Sequence, residues 1–92
     1  MTEAQFLADA KRDGYAEILE REMQAGSNAT EHTHAFDAHI LVTTGEFTIT
    51  IDGTANTYRA GEAFAVPAGT PHAEAAGTEP VRYTVARRYP QS

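Results

Sequence analysis

The stretch His39–Ile51, HILVTTGEFTITI, decides the fold of this 92-residue chain. Large aliphatic residues fill its first half, Gly45 interrupts it, and from Phe47 onward apolar residues alternate with threonine. A period of two is typical of a β-strand with one buried face. The Asp52-Gly53 dipeptide that follows favours a tight hairpin turn. The stretch therefore predicts two strands separated at Gly45 and a further hairpin after the second strand.

Shorter β segments lie on both sides of this stretch. A weak strand is predicted for Tyr15–Met23, and a turn follows at Gln24–Asn28. Further strands, separated by glycine or proline, are predicted near Asn56–Arg59, Ala63–Val66, His72–Ala75 and Val81–Ala86. Many short strands at close and even spacing indicate a sandwich or a barrel, so the predicted fold class is all-β.

The segment before the first strand predicts a short helix over about residues 2–13. Thr2 followed three residues later by Gln5 is a capping-box pattern, and Gly14 is a suitable stop. Its apolar stripe consists of Phe6, Leu7 and Ala10. Such a stripe needs a partner surface, either the chain's own barrel or a second subunit.

Length and composition limit the range of functions. A chain of 92 residues is expected to be one domain, here residues 1–92 with the barrel over about 15–88. It has no cysteine, which excludes disulfides and thiolate metal sites, so any metal must be held by nitrogen and oxygen ligands.

Charge and hydropathy exclude several partners. The net charge is −6, and an acidic surface repels nucleic-acid phosphates and anionic lipid. Arg82, Arg87 and Arg88 are expected to be solvated or salt-bridged. No secretory signal pattern and no run of about 20 apolar residues is visible, so we expect a cytoplasmic protein with no nucleic-acid or membrane partner. Because open barrels leave strand edges that need covering, a homodimer is expected.

Histidine supplies the chemically informative pattern. The chain holds four of these residues: His32, His34, His39 and His72. In an extended strand, residues i and i+2 point to the same face, so His32-Thr33-His34 directs two imidazoles the same way. His72 lies on a separate strand that folding can bring to the same place. The three form a candidate site for one ion; the alternative is solvated or pH-sensitive histidines.

Two segments resemble the cupin motifs. Gly26, five residues and His32-Thr-His34 resemble the opening of the first motif, and Gly45-Glu46 resembles its end. The segment Gly61–His72, GEAFAVPAGTPH, matches the second motif: glycine, five residues, Pro-x-Gly, two residues, histidine. The resemblance implies a small single-domain cupin of the bacterial cupin 2 type, a jelly-roll barrel (double-stranded β-helix) with an ion near one end. The motif histidines are metal ligands in that family, which implies this role for His32, His34 and His72.

Alanine fills two slots of these motifs. Ala76 stands in place of the asparagine of the second motif, and Ala38 in place of the glutamate of the first. Alternation turns Asp37 and His39 outward unless a bulge re-aims one of them. We favour His39 over Asp37 as a fourth ligand. The alternatives are a surface or rim position for His39, and a site of three histidines with open positions for water or substrate.

The resemblance implies two classes of function. One is a metalloenzyme that acts on a small molecule by dioxygenase, isomerase or lyase chemistry, with no general acid or base standing out. The other is a non-catalytic barrel that binds or senses a sugar or metabolite. Imidazole-rich ligand sets suit a divalent Fe, Mn, Ni, Zn or Cu ion. Tyr58 and Tyr83 either direct a hydroxyl into the lumen or pack in the core, and a barrel that has lost its metal is a third possibility.

Overall fold

The chain begins with helix α1, Glu3–Arg12, in the computed structural model, which describes residues 1–90. The predicted capping box is present. Thr2 Oγ1 accepts a hydrogen bond from the Gln5 backbone nitrogen at 3.1 Å, and Gln5 Oε1 accepts one from the Thr2 nitrogen at 3.0 Å. Just past the helix, Gly14 adopts a positive φ of 83°. The helix therefore begins and ends where the chemistry of its flanking residues favours ends.

Eight strands follow in the described part of the chain. They are β1 Glu17–Met23, β2 Asn28–His32, β3 Asp37–Thr44, β4 Glu46–Ile51, β5 Thr54–Arg59, β6 Ala63–Val66, β7 His72–Ala76 and β8 Val81–Arg88. The predicted strands are all present, with their ends shifted by one or two residues: β1 begins two residues later, β3 and β5 begin two residues earlier, and β7 and β8 end one and two residues later than predicted. The expected strand through His32 and His34 ends at His32, so His34 lies outside it.

The strands form two antiparallel sheets, which we call the first sheet, β1-β8-β3-β6, and the second sheet, β2-β7-β4-β5. Most consecutive strands lie in opposite sheets, so the connections pass from one sheet to the other. This arrangement confirms the predicted jelly-roll barrel with a short N-terminal helix.

Two tight connections depend on backbone conformations that favour glycine. Asp52 and Gly53 have φ of 52° and 76°, the pair of positive values that a type I′ hairpin requires. Gly45, between β3 and β4, has φ of 81°, and a Cβ at this position would lie 2.5 Å from the Pro80 carbonyl oxygen. The interruption seen in the sequence at Gly45 therefore marks a close approach of two backbone segments.

Apolar side chains from both sheets fill the space between them. The buried cluster consists of Ala38, Ile40, Val42, Phe47, Ile49, Phe64, Val66, Val81 and Val85. The alternation on β4 thus directs Phe47 and Ile49 inward, as predicted. Because this core occupies the middle of the barrel, a site can form only where the packing ends.

Helix α1 covers the outer face of the first sheet. Phe6 and Ala10 are fully buried there against Leu41 and Ala86. Leu7, which the sequence placed in the same stripe, is 37% exposed, because it lies beside the contact line rather than on it. The chain's own barrel is therefore the partner surface of the helix. In the described residues, no helix has the length and apolar character needed to cross a membrane.

Candidate metal centre

Three histidines meet at one end of the space between the sheets. His32 is the last residue of β2 and His72 the first of β7, and the two are directly paired in the antiparallel register. Their side chains therefore leave the second sheet on the same face. His34 lies just past β2, where its carbonyl oxygen accepts a hydrogen bond from the Gly69 nitrogen at 2.9 Å. This bond ties the His34 segment to the turn that precedes His72.

The three rings are close enough to share one cation. Their candidate ligand atoms all lie within 4.8 Å of one another. The ring centroids are 4.4 Å apart for His32 and His72, 4.8 Å for His32 and His34, and 5.2 Å for His34 and His72. Two nitrogens that bind one ion at about 2.1 Å are at most about 4.2 Å apart. In a tetrahedral arrangement such nitrogens are about 3.4 Å apart, so shifts of up to about 0.7 Å per side chain would bring all three nitrogens to one ion.

Backbone carbonyls set the tautomer of two rings. His32 Nδ1 lies 2.6 Å from the Thr30 carbonyl oxygen, and His72 Nδ1 lies 2.8 Å from the Thr70 carbonyl oxygen. A carbonyl oxygen only accepts, so each Nδ1 must carry the hydrogen and donate. The lone pair of each neutral ring is then on Nε2, the tautomer used when a carbonyl orients a metal-binding histidine.

Burial within the cluster disfavours the protonated form of His34. His72 is 2% exposed. Burial lowers the pKa of His34, and charge on His32, His72 and Arg87 lowers that pKa further. A neutral imidazole is the form that binds a metal, so the surroundings of His34 favour the form of that ring that binds.

Glu74 is a fourth group at the site that sequence reasoning missed. Its Oε1 lies 3.9 Å from His32 Nε2 and its Oε2 lies 3.8 Å from His72 Nε2, and its side chain is 16% exposed. The signal was present in the sequence: Glu74 follows His72 by two residues on the same strand, so alternation directs both inward. The spacing of the first motif instead suggested a fourth ligand on β3, at Asp37 or His39.

The two residues that the sequence suggested as fourth ligands lie elsewhere. His39 faces helix α1, with its ring centroid 4.7 Å from that of Phe6 and 6.0 Å from that of Tyr15. Asp37 accepts a hydrogen bond from the Ala68 nitrogen at 2.8 Å. It also forms an ion pair with Arg88 Nη2 at 3.0 Å. These two contacts lower the pKa of Asp37, the Ala68 hydrogen bond most. The irregularity of β3 falls between Val42 and Thr44, too far along the strand to re-aim either residue.

A pocket of about 180 Å³ opens beside the histidines. Its polar and aromatic lining includes Phe36, Tyr83 and Arg87, together with Arg21. Phe36 stacks on His34 with ring centroids 4.6 Å apart. Burial raises the pKa of Tyr83, and the charge of Glu74 raises that pKa further, so the phenol keeps its proton at neutral pH. Tyr58 stacks on Phe64 at 4.4 Å, which makes it a packing residue.

Arg87 supplies a cationic group to this pocket. Its guanidinium carbon lies 4.4 Å from the centroid of the Phe36 ring, and Nη1 donates to Glu17 Oε1 at 3.1 Å. Its Nε is buried and has no hydrogen-bond partner among the described residues. A buried donor without an acceptor is costly, and no described residue offsets this cost at Arg87 Nε.

Comparison with protein families identifies the class. The cupin domain family model matches residues 19–87, and the chain belongs to this family. Both cupin motifs suggested by the sequence lie inside the matched range. No curated protein is significantly similar to the chain.

Solved structures with the same fold differ in what they are described as doing. The cupin domain of an XRE-family transcriptional regulator from Enterobacter cloacae is 25% identical, with a TM-score of 0.67 and coverage of 80% of this chain and 81% of that one. The polyketide cyclase RemF from Streptomyces resistomycificus is 25% identical, with a TM-score of 0.69 and coverage of 76% and 51%. A protein of unknown function from Streptococcus pyogenes is 24% identical, with a TM-score of 0.69 and coverage of 83% and 77%. This chain thus spans about half the length of the cyclase.

Proposed function

We propose that the chain is a metal-dependent cupin enzyme of the dioxygenase, isomerase or lyase type. Its substrate would be a small molecule that carries a carboxylate or an enolate oxygen. His32, His34 and His72 would hold one divalent ion. The observation that carries this proposal is the convergence of three imidazole nitrogens within 4.8 Å, at the wall of a pocket.

The donor set fits a first-row divalent ion. Hydrogen bonds to the Thr30 and Thr70 carbonyl oxygens fix the tautomers of the His32 and His72 rings, so that Nε2 of each ring is free to bind. The carboxylate of Glu74 has no lysine or arginine nitrogen within 4.0 Å among the described residues, and a nearly buried carboxylate needs a positive partner. Nitrogen donors with one carboxylate close by suit Fe, Mn, Ni, Zn or Cu.

Residues around the cluster would orient the small molecule and exclude water. When bound, the ion would supply Lewis-acid polarisation of an oxygen of that molecule, and iron would add redox chemistry. Arg87 would bind an anionic group of the molecule, because its cationic side chain lines the same pocket as the three histidines. The Tyr83 hydroxyl would donate a hydrogen bond. Phe36, stacked on His34, would shield that side of the site from solvent.

The similarity to the polyketide cyclase supports an enzymatic role. That protein is described as a cyclase, and its fold accommodates chemistry on a polyketide. We therefore expect polyketide-like compounds to be the first class of small molecule to screen.

The first test measures the metal. The protein is purified anaerobically and its metal content is determined by mass spectrometry. We expect about one equivalent of a divalent ion in the wild type, and nearly none in His72→Ala. His39→Phe is the matched control, because it also removes one histidine, keeps a ring against Phe6, and lies outside the cluster. Loss of metal in the control variant, or retention in His72→Ala, would contradict the proposed ligands.

The second test measures turnover. The metal-loaded protein is incubated with oxo-acids, catechols and enols, with and without oxygen. We expect turnover that disappears after chelation and in His72→Ala. Arg87→Met is expected to raise KM for an anionic substrate more than it lowers kcat. Glu17→Gln is its control, since it removes the ion pair of Arg87 and leaves the guanidinium in place. A full metal complement without turnover on the whole panel would count against an enzyme.

A second candidate function is a non-catalytic sensor of a sugar or other metabolite. The cupin domain of the Enterobacter cloacae regulator favours it, because that domain and this chain cover about four fifths of each other. A sensor would be stabilised by a ligand that it returns unchanged. Thermal shift with a metabolite panel, followed by mass spectrometry of the recovered ligand, separates the two functions.

A further inference from the structure

We propose that the Glu74 carboxylate is the fourth protein ligand of the ion, supplied by β7 in place of the glutamate that the first motif lacks at Ala38. This inference rests on the proposed metal site and adds to it a residue outside both motif slots. It also replaces the fourth ligand that the sequence suggested on β3.

The register of the second sheet directs Glu74 into the barrel. Glu74 pairs with Ile49 of β4 on one side and with Ala29 of β2 on the other. Directly opposed residues of antiparallel strands point to the same face. Ile49 is 3% exposed and belongs to the core between the sheets, so Glu74 also points inward. The small side chain of Ala29 leaves the carboxylate room to turn toward His32.

The distances match those between two ligands of one ion. Ligand atoms that each bind at about 2.1 Å are separated by about 3.0 Å at a right angle, about 3.4 Å in a tetrahedron and about 4.2 Å when opposite. The Glu74 oxygens are 3.9 Å from His32 Nε2 and 3.8 Å from His72 Nε2. Both values lie inside this range. The carboxylate therefore lies within the ligand-to-ligand range of both imidazoles.

Charge leads to the same conclusion. Glu74 is 16% exposed, and no hydrogen bond to its carboxylate is formed within residues 1–90. An imidazole that binds a metal is neutral, so in the metal-bound site the positive charge that offsets this carboxylate is that of the divalent ion. Ala38, whose side chain lines the same pocket, leaves the space that a glutamate at that position would fill. The proposed carboxylate ligand therefore lies on the second sheet at Glu74, whereas a glutamate at position 38 would lie on the first sheet.

The test compares metal affinity in charge-matched variants. Chelator-stripped wild type, Glu74→Gln and Glu31→Gln are titrated with Co²⁺ by calorimetry, and visible spectra of the Co²⁺ forms are recorded. Glu31→Gln is the control, since it removes one charge at an exposed position next to His32 in sequence. Changes to groups that only support a metal ligand weaken binding about 10- to 100-fold. We therefore expect Glu74→Gln to weaken binding by about 100-fold or more and to alter the spectrum, and Glu31→Gln to do neither.

Each outcome bears on a distinct claim. If Glu74→Gln binds Co²⁺ like the wild type with the same spectrum, the role of Glu74 is overturned and the three-histidine site stands. If Glu31→Gln weakens binding equally, the effect is long-range charge and the inference also fails. If the wild type binds no metal, the proposed function itself fails. Should Glu74→Gln not fold, Glu74→Asp keeps the charge one methylene farther away, and direct ligation still predicts weaker binding and a changed spectrum.

Discussion

Metal binding is expected to stabilise the fold by a calculable amount. The ion would connect the end of β2 to the start of β7, two segments that are distant in sequence and meet only in the folded chain. An ion at a concentration 100 times its Kd adds about 2.7 kcal/mol to the free energy of unfolding, provided that the unfolded chain does not bind it. The entropy of unfolding is about 2.1 cal/mol/K per residue, or about 0.19 kcal/mol/K for this 92-residue chain. The quotient predicts a rise in Tm of about 14 °C.

The assay is a thermal melt followed by circular dichroism, on chelator-stripped protein with and without the ion at that ratio. His72→Ala is expected to show little or no rise, because it removes the most buried imidazole of the site and leaves only His32, His34 and the Glu74 carboxylate. His39→Phe is expected to keep the full rise. The reasoning is refuted if His72→Ala is stabilised as much as the wild type, or if the wild type shows no rise while calorimetry reports binding.

The remaining predictions concern the fold and its assembly. Phe6→Ala is expected to lower the free energy of unfolding by about 3–5 kcal/mol in denaturant titrations, because Phe6 is fully buried between helix α1 and the first sheet; a loss below about 1 kcal/mol would mean that the helix does not dock. Gly45→Ala is expected to lower the free energy of unfolding by at least about 2 kcal/mol, because its Cβ would clash with the Pro80 carbonyl oxygen. Gly53→Ala is expected to lose less, because only its positive φ is unfavourable, and equal losses in the two variants would contradict the close approach. Burial lowers the pKa of His39, so the unfolded chain takes up a proton near pH 6.5 before the folded one does, and stability falls as pH drops through that value. His39→Phe should therefore show a smaller drop in Tm between pH 7.5 and 5, and an unchanged drop would exclude this linkage. Light scattering is expected to report a homodimer, and a monomer at high concentration would contradict that expectation.

Most of the fold could be predicted from the sequence because its signals are local. The alternation of apolar residues from Phe47 onward, the Asp52-Gly53 turn and the capping box at Thr2 each depend on neighbours within a few residues. The order of strands within the sheets was not available from such signals, since it depends on which distant edges pair. The exposure of Leu7 has the same origin, because the side of a helix that is buried depends on the surface it meets.

The candidate site also combines features that local sequence signals predict with one that depends on the pairing of distant strands. The three histidines were predicted because two share a strand face and the third follows a motif with regular spacing. The fourth group was sought on β3, where alternation had already turned Asp37 and His39 outward, and the structure places both outside the cluster. Glu74 was open to prediction by the same alternation applied from His72. Its relevance emerges only when the register of β7 with β2 is known, because that register brings the carboxylate beside His32.

In the proposed site, the two sheets would have different roles: one would bind the ion and the other would contact the small molecule. In the proposed site, the ion would be held by the second sheet and the connection that leaves it, through the three histidines and Glu74. The opposite wall belongs to the first sheet and carries Tyr83 and Arg87 on β8. Because the two walls are built on separate strands, substitutions on β8 can change which small molecule is accepted while the ion stays bound. Arg87→Met should therefore keep the metal content of the wild type and lose affinity only for anionic molecules. Loss of the ion in that variant would mean that binding of the metal and of the substrate depend on one another.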